Sequence, residues 1–213
     1  MNWYLFIFGS SVGKKMLMAV TGLGLIGFLA VHLLGNVMAF AGAEAFNGYA
    51  AKLHSLQPYL SVFNIGLASL GLVHIVIGTI LFFENLKARP TRYDVYKNPG
   101  GRTIGSNTMP YTGALILIFV ILHLFKFTFV DKSTMPIYQL MAATFANSLW
   151  VLFYVVAMVI VAVHISHGFW SLFQTFGINH PRYMPLVMKL GLVVTFVFGI
   201  GFGILPIYLL IFV

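Results

Sequence analysis

The run YTGALILIFVILHLFKFTFV, Tyr111–Val130, decides the fold. An α-helix needs about 20 predominantly apolar residues to cross a bilayer, and this run supplies them. A strand of a membrane barrel would instead alternate apolar and polar residues over about ten positions. From Gly113 to Leu124 the run is apolar on every face, so a helix is expected. Four further runs of the same kind lie around it, roughly Met16–Phe40, Tyr59–Phe83, Leu149–Phe173 and Leu186–Phe212. The expected fold is therefore all-α: an integral membrane bundle of five transmembrane helices, with residues 1–213 forming one domain.

Composition points the same way. Of the 213 residues 60% are hydrophobic and 8% charged, against about 25% charged in a soluble domain. Four acidic residues cannot coat a water-soluble globule of this size, which excludes a cytosolic enzyme. Cysteine is absent, which excludes disulfides, iron–sulfur clusters or zinc–thiolate sites held by this chain, and covalently attached c-type haem. The net charge of +8 suggests nucleic acid until the basic residues are placed. They lie between the apolar runs, so no nucleic-acid partner is expected. A nucleotide-binding glycine motif is also missing. The chain is expected to bind neither flavin nor dicarboxylate, and no catalytic residue is assigned to it.

Orientation follows from the lysine and arginine count on the two sides. Lys14, Lys15, Lys87, Arg89, Arg92, Lys97, Arg102, Arg182 and Lys189 fall on one side, and Lys52, Lys126 and Lys132 on the other. The excess places the N-terminus and the 84–110 loop in the cytoplasm. Lys14 and Lys15 follow the apolar Met1–Phe8 stretch, whereas a secretory signal carries its charge first, so no cleavable signal is expected. WYLFIF, Trp3–Phe8, reads as an interfacial segment. Pro90, Pro99 and Gly100–Gly101 break any continuous helix through loop 84–110. That loop reads either as a solvated connector or as a docking surface for a cytoplasmic partner.

The chemistry lies in four histidines, His32, His74, His123 and His164, one inside each of the first four spans. An ionisable residue within a span is costly and marks function by default. One buried histidine is commonly a packing residue; one on each of four helices is not explained by packing. Their depths follow from a rise of about 1.5 Å per residue. His32 lies about 24 Å and His123 about 18 Å from the inner ends of their spans, in the outer half of a core about 30 Å thick. His74 and His164, on spans running the other way, each lie about 14 Å from the inner face. This sorts them into an outer pair, His32 with His123, and an inner pair, His74 with His164. Two facing histidines at each of two depths suit two haems with bis-imidazole ligation, and without cysteine these are of the non-covalent b type. Gly71, Gly78, Gly35 and Gly168 stand three or four residues from a histidine, where a flat macrocycle could lie against the helix. Glu84 and Asp131 sit at span ends and no carboxylate occupies mid-span, which argues against an ion-coupled transporter. Lys126, near the outer end of its span, is expected to snorkel to the interface.

His167 stands three residues from His164, on one face of the same helix. His164 matches the depth of His74, whereas His167 lies about 4–5 Å nearer the inner surface. His164 is thus the expected ligand, and His167 is left to hydrogen-bond a haem propionate or face a partner.

The chain resembles the single-subunit di-haem cytochrome b membrane anchors of succinate:quinone oxidoreductases and quinol:fumarate reductases. The similarity is carried by SSVGKKMLMAVTGLGLIGFLAVHLLGN (Ser10–Asn36), AFNGYA (Ala45–Ala50) and HISHGFWSLFQTFG (His164–Gly177). It is carried also by the histidine spacings of 42, 49 and 41 residues. The resemblance implies two haem b groups, His32 with His123 at the distal one and His74 with His164 at the proximal one. It implies menaquinone as substrate near the outer haem. A quinone exchanges protons with its electrons, so a titratable group beside it is expected. Glu44, Asn47 and His54, just beyond the first span on the outer side, are the candidate site, and Ser11, Lys14 and Lys15 on the inner side are the alternative. It further implies an iron–sulfur subunit and a flavoprotein subunit on the cytoplasmic face, where succinate and fumarate are interconverted. The setting implied is the cytoplasmic membrane of a prokaryote, with contacts to lipid and room for a dimer of the whole complex. Some members carry a glutamate, serving a proton path, two residues before the span-four ligand. Ala162 stands there instead, so the resemblance does not carry that path over. Two other readings share part of these features: a haem b quinone-reactive subunit of a hydrogenase or formate dehydrogenase, and a haem-free membrane scaffold or transporter.

Overall fold

The computed structural model describes residues 9–88, 103–131 and 135–213. Within them the chain is all-helical, and five helices are long and apolar enough to cross a membrane. The spanning helices are α1 (Ser11–Val37), α3 (Tyr59–Lys87), α4 (Ile104–Phe127), α6 (Ser148–Thr175) and α7 (Met184–Phe212). Two shorter ones, α2 (Ala43–His54) and α5 (Ile137–Phe145), were not expected from hydropathy because neither approaches spanning length.

Most spanning helices begin earlier than their apolar runs, because polar first turns are held by caps rather than by hydrophobicity. Ser10 accepts from the amide of Gly13 at 3.0 Å at the start of α1. Thr103 and Ser106 form a reciprocal capping box at the start of α4, and Asn147 accepts from Leu149 N at 2.9 Å at the start of α6. With that box in place α4 begins seven residues before Tyr111, and Pro110 is taken inside the helix. Gly177, with φ of +77°, closes α6. The amide of Ile178 donates to Phe173 O at 2.8 Å and that of Gly177 to Gln174 O at 3.0 Å, the Schellman arrangement that favours glycine at this point. Met1–Phe8, Lys132 and the 89–102 part of the loop lie outside the described residues. The interfacial segment and the docking loop therefore fall there too.

Four of the spanning helices form a ring. α1 packs against α3 on one side and α6 on the other, α6 packs against α4, and α3 meets α4 only sparingly. α7 lies outside this ring against α6 and α1. Lipid is as apolar as leucine, so helices in a membrane gain most from close approach between small residues. The α6–α7 contact uses this: a Cβ on Gly191 would come 3.0 Å from Phe169, and one on Gly199 3.1 Å from Ala162 Cβ. At the end where α1 begins, the buried Lys14 pairs with the more accessible Glu84, tying α1 to α3. At the far end α2 and α5 close over the bundle, burying Phe46, Tyr138, Met141 and Phe145 against Val151, Tyr154, Leu205 and Leu209. Gly42, with φ of +92°, turns the chain from α1 into α2, a backbone conformation that side-chain-bearing residues rarely adopt.

Candidate functional site

The ring order places α1 opposite α4 and α3 opposite α6, and each diagonal carries one histidine pair. His32 on α1 and His123 on α4 have ring centres 6.1 Å apart, with planes at 89°. His74 on α3 and His164 on α6 have centres 6.5 Å apart, with planes at 67°. An imidazole nitrogen bonds a transition metal at about 2 Å and lies about 1 Å from its own ring centre, so two rings gripping one metal from opposite sides stand about 6 Å apart. Both pairs have that spacing.

The inner pair is level with Thr21 of α1 and Thr112 of α4. Thr21 Oγ1 lies 3.0 Å from His74 Nδ1, and Thr112 Oγ1 lies 3.1 Å from His164 Nδ1. With Nδ1 engaged, Nε2 is the nitrogen left for a metal. His32 and His123 stand eleven residues farther along α1 and α4 than these threonines. That separates the two sites by about 16 Å along the bundle.

The outer pair is built from aromatic rings. Tyr154 OH lies 3.2 Å from His123 Nδ1, and Tyr154 is itself enclosed by Phe119, Phe127, Phe145, Trp150 and Phe153. Phe28 stacks on His32 at 5.2 Å, and Phe202 lies 5.5 Å from the same ring. The Asn36 amide donates to His32 O at 2.8 Å and reaches His32 Nε2 at 3.4 Å, so a metal held at that nitrogen would have to displace the second contact.

The glycines divide. A Cβ on Gly71 or Gly168 would meet nothing within 4 Å, and one on Gly78 would meet only the flexible end of Met18. Gly35 serves a different purpose from the one expected: a Cβ there would stand 2.8 Å from Tyr49 OH, so it makes room for α2. The glycines that border histidine rings are Gly22 and Gly113, whose added Cβ atoms would lie 3.4 Å and 3.6 Å from Cε1 of His74 and His164. Neither was read from sequence, nor were Thr21, Thr112 and Tyr154. The repeated Thr–Gly pair in spans one and three (Thr21–Gly22, Thr112–Gly113) was the available signal.

His167 packs edge-on to Trp170 at 4.9 Å, and its Nδ1 is buried with no hydrogen-bond partner among the described residues. Glu44, Asn47 and His54 all lie on α2 but do not converge. Asn47 staples α2 to α5, donating to Gln139 Oε1 at 3.0 Å and accepting from Tyr138 N at 3.1 Å, while Glu44 and His54 are exposed. Lys126 lies over the Trp150 ring, 5.1 Å from its centre. Ala162 faces Gly199 in the tight α6–α7 contact, where a glutamate side chain would force the helices apart.

No family model and no solved structure matches the chain. Among curated proteins it is 30% identical over 154 residues to the succinate dehydrogenase cytochrome b558 subunit of Bacillus subtilis (strain 168), covering 71% of this chain and 73% of that one. The chain belongs to the succinate dehydrogenase cytochrome b family. A contiguous match of that extent in 213 residues must include the middle of the chain. The succinate dehydrogenase cytochrome b likeness therefore takes in the third span and nearly all of the second, with His74 and His123.

Proposed function

We propose that this chain is the membrane-anchoring cytochrome b subunit of a succinate dehydrogenase or fumarate reductase complex. In this reading it holds two b haems, one above the other, and carries electrons between a membrane quinone, menaquinone by resemblance, and an iron–sulfur subunit. The observation that carries the reading is the pair of histidine couples on the two diagonals of the ring, with centres 6.1 Å and 6.5 Å apart. His32 and His123 would hold the outer haem, and His74 and His164 the inner one. Bound haem supplies reversible one-electron chemistry. The protein's part is to fix the imidazole rings, exclude water with apolar spans and set the order of the two sites across the membrane. The iron–sulfur and flavoprotein subunits would dock on the side where α1 begins, the side richer in lysine and arginine. The membrane is the cytoplasmic membrane of a prokaryote.

The expected result is a reduced-minus-oxidised optical spectrum of the purified chain with b-type bands and two haems per chain. A flat trace ends the haem reading. Isolation from the native membrane with a flavoprotein and an iron–sulfur protein supports the succinate dehydrogenase assignment. Isolation with a hydrogenase or formate dehydrogenase replaces it.

The quinone site is proposed at the far end, where the outer pair lies. Because Asn47 is engaged between α2 and α5, Glu44 and His54 are the members of the original trio left to meet a head-group. Glu44→Gln and His54→Ala are each expected to slow quinone turnover several-fold with both haems retained. Unchanged turnover in both variants takes the quinone away from α2, and the Ser11, Lys14 and Lys15 end becomes the site to test.

A further inference from the structure

Thr21 and Thr112 do the same thing twice. Each is buried in a spanning helix, with relative exposures of 5% and 7%. Each hydroxyl points back at its own helix: Thr21 Oγ1 donates to Leu17 O at 2.7 Å, and Thr112 Oγ1 donates to Thr108 O at 3.0 Å. A hydroxyl has one hydrogen and two lone pairs. With that hydrogen directed at a carbonyl, the contact to the neighbouring imidazole has only one sense. The Nδ1–H of His74 donates to Thr21, and the Nδ1–H of His164 donates to Thr112. Both rings are thereby held in the Nδ1–H tautomer, with the lone pair on Nε2. The following residue completes the fitting, since Gly22 and Gly113 let each ring carbon Cε1 lie close against the clamping helix.

We propose that Thr21 and Thr112 are positioning residues for the inner histidine pair, each on a helix that supplies no inner ligand and each setting the tautomer, ring orientation and donor strength of its neighbour's histidine. The proposal rests on the haem reading above. A hydrogen bond accepted from the far nitrogen of a ligating imidazole raises its basicity and so favours the oxidised metal. No threonine reaches the outer pair, where the Tyr154 hydroxyl lies at His123 Nδ1 and the Asn36 amide at His32 Nε2. The effect of these two threonines therefore falls on the inner site.

The test is a redox titration of the complete complex, with the low-spin electron paramagnetic resonance signals recorded alongside. The component lost in a His74→Ala variant identifies the inner haem. Thr21→Val and Thr112→Val, which keep the shape and delete the hydroxyl, are each expected to raise the midpoint potential of that component and shift its resonance signal. The double variant moves it further, and the outer component stays in place. Thr21→Ser and Thr112→Ser restore the parental values. Loss of the inner haem in the valine variants with retention in the serine variants also supports the proposal. Valine variants with unchanged potential and signal overturn it while two haems in the parent keep the haem reading standing. Equal shifts in the valine and serine variants overturn it too, because the hydroxyl is then not the cause. A parent complex without haem takes down both.

Discussion

His164→Ala is expected to halve the haem content of the purified chain, from two to one, and to remove the inner haem. His167→Ala, three residues away, is expected to leave both. His164 has its ring 6.5 Å from that of His74 and its Nδ1 on Thr112, the arrangement of an axial ligand with its far nitrogen already held. His167 turns to Trp170 instead. Its buried Nδ1, without a partner among the described residues, is left for a hydrogen bond to a propionate or a partner subunit. The same logic assigns His74→Ala to the inner haem and His32→Ala or His123→Ala to the outer one. Because a bound cofactor stabilises only the folded form, each ligand variant should also melt at a lower temperature than the parent. Haem quantified against protein, with the redox components resolved, decides the matter. Two haems in His164→Ala, or loss in His167→Ala, reverses the assignment.

Gly105→Val is expected to destabilise the bundle and to loosen the inner site. A Cβ at Gly105 would lie 2.8 Å from His167 Cβ, 3.0 Å from Ser166 Oγ and 3.0 Å from the carbonyl oxygen of Val163. Two of those atoms cannot swing aside, since one is main chain and the other is attached to it. The first turns of α4 must therefore move off α6, at a cost of about 1–3 kcal/mol for overpacking. That displacement reaches the site, because Thr112 stands two turns farther along α4 and holds His164. The inner haem should be released at a lower temperature while the outer one is retained. Gly27→Ala is the matched control: its new Cβ meets nothing within 4 Å, and the substitution removes a flexible residue from a helix interior. Equal thermal stability and haem retention in the two variants would show that the α4–α6 contact does not govern the inner site.

Much of the molecule was legible along the chain. Runs such as Gly113–Leu122 are apolar at every position, which admits a spanning helix and excludes a barrel strand. The pairing of the histidines was legible too, for a simple geometric reason. Successive spans run in opposite directions, so sequence distance from a span end converts directly to depth. His32 and His123 came out in the outer half of the membrane and His74 and His164 at one depth nearer the inner face, and these are the rings the fold brings to 6.1 Å and 6.5 Å. The lack of a mid-span carboxylate could likewise be read from position alone.

What depth could not supply was lateral position. α3 and α4 are apolar all round, and in lipid no wet face marks which side turns inward, so the rotation of a span about its axis leaves little trace in hydropathy. Only the packed ring shows that Thr21 reaches His74, that Thr112 reaches His164 and that Gly35 yields to Tyr49 of α2. The short helices α2 and α5 were hidden for a related reason. Too short to span, they take their stability from Asn47 and from burying Phe46 and Phe145 on the far end of the bundle, contacts between residues distant in sequence. The sequence by itself determined the number of spans, their directions and the depth of each histidine, because these depend on length and apolarity along one axis. The tertiary structure decided which hydroxyl holds which ring, because that depends on how neighbouring helices are turned toward one another.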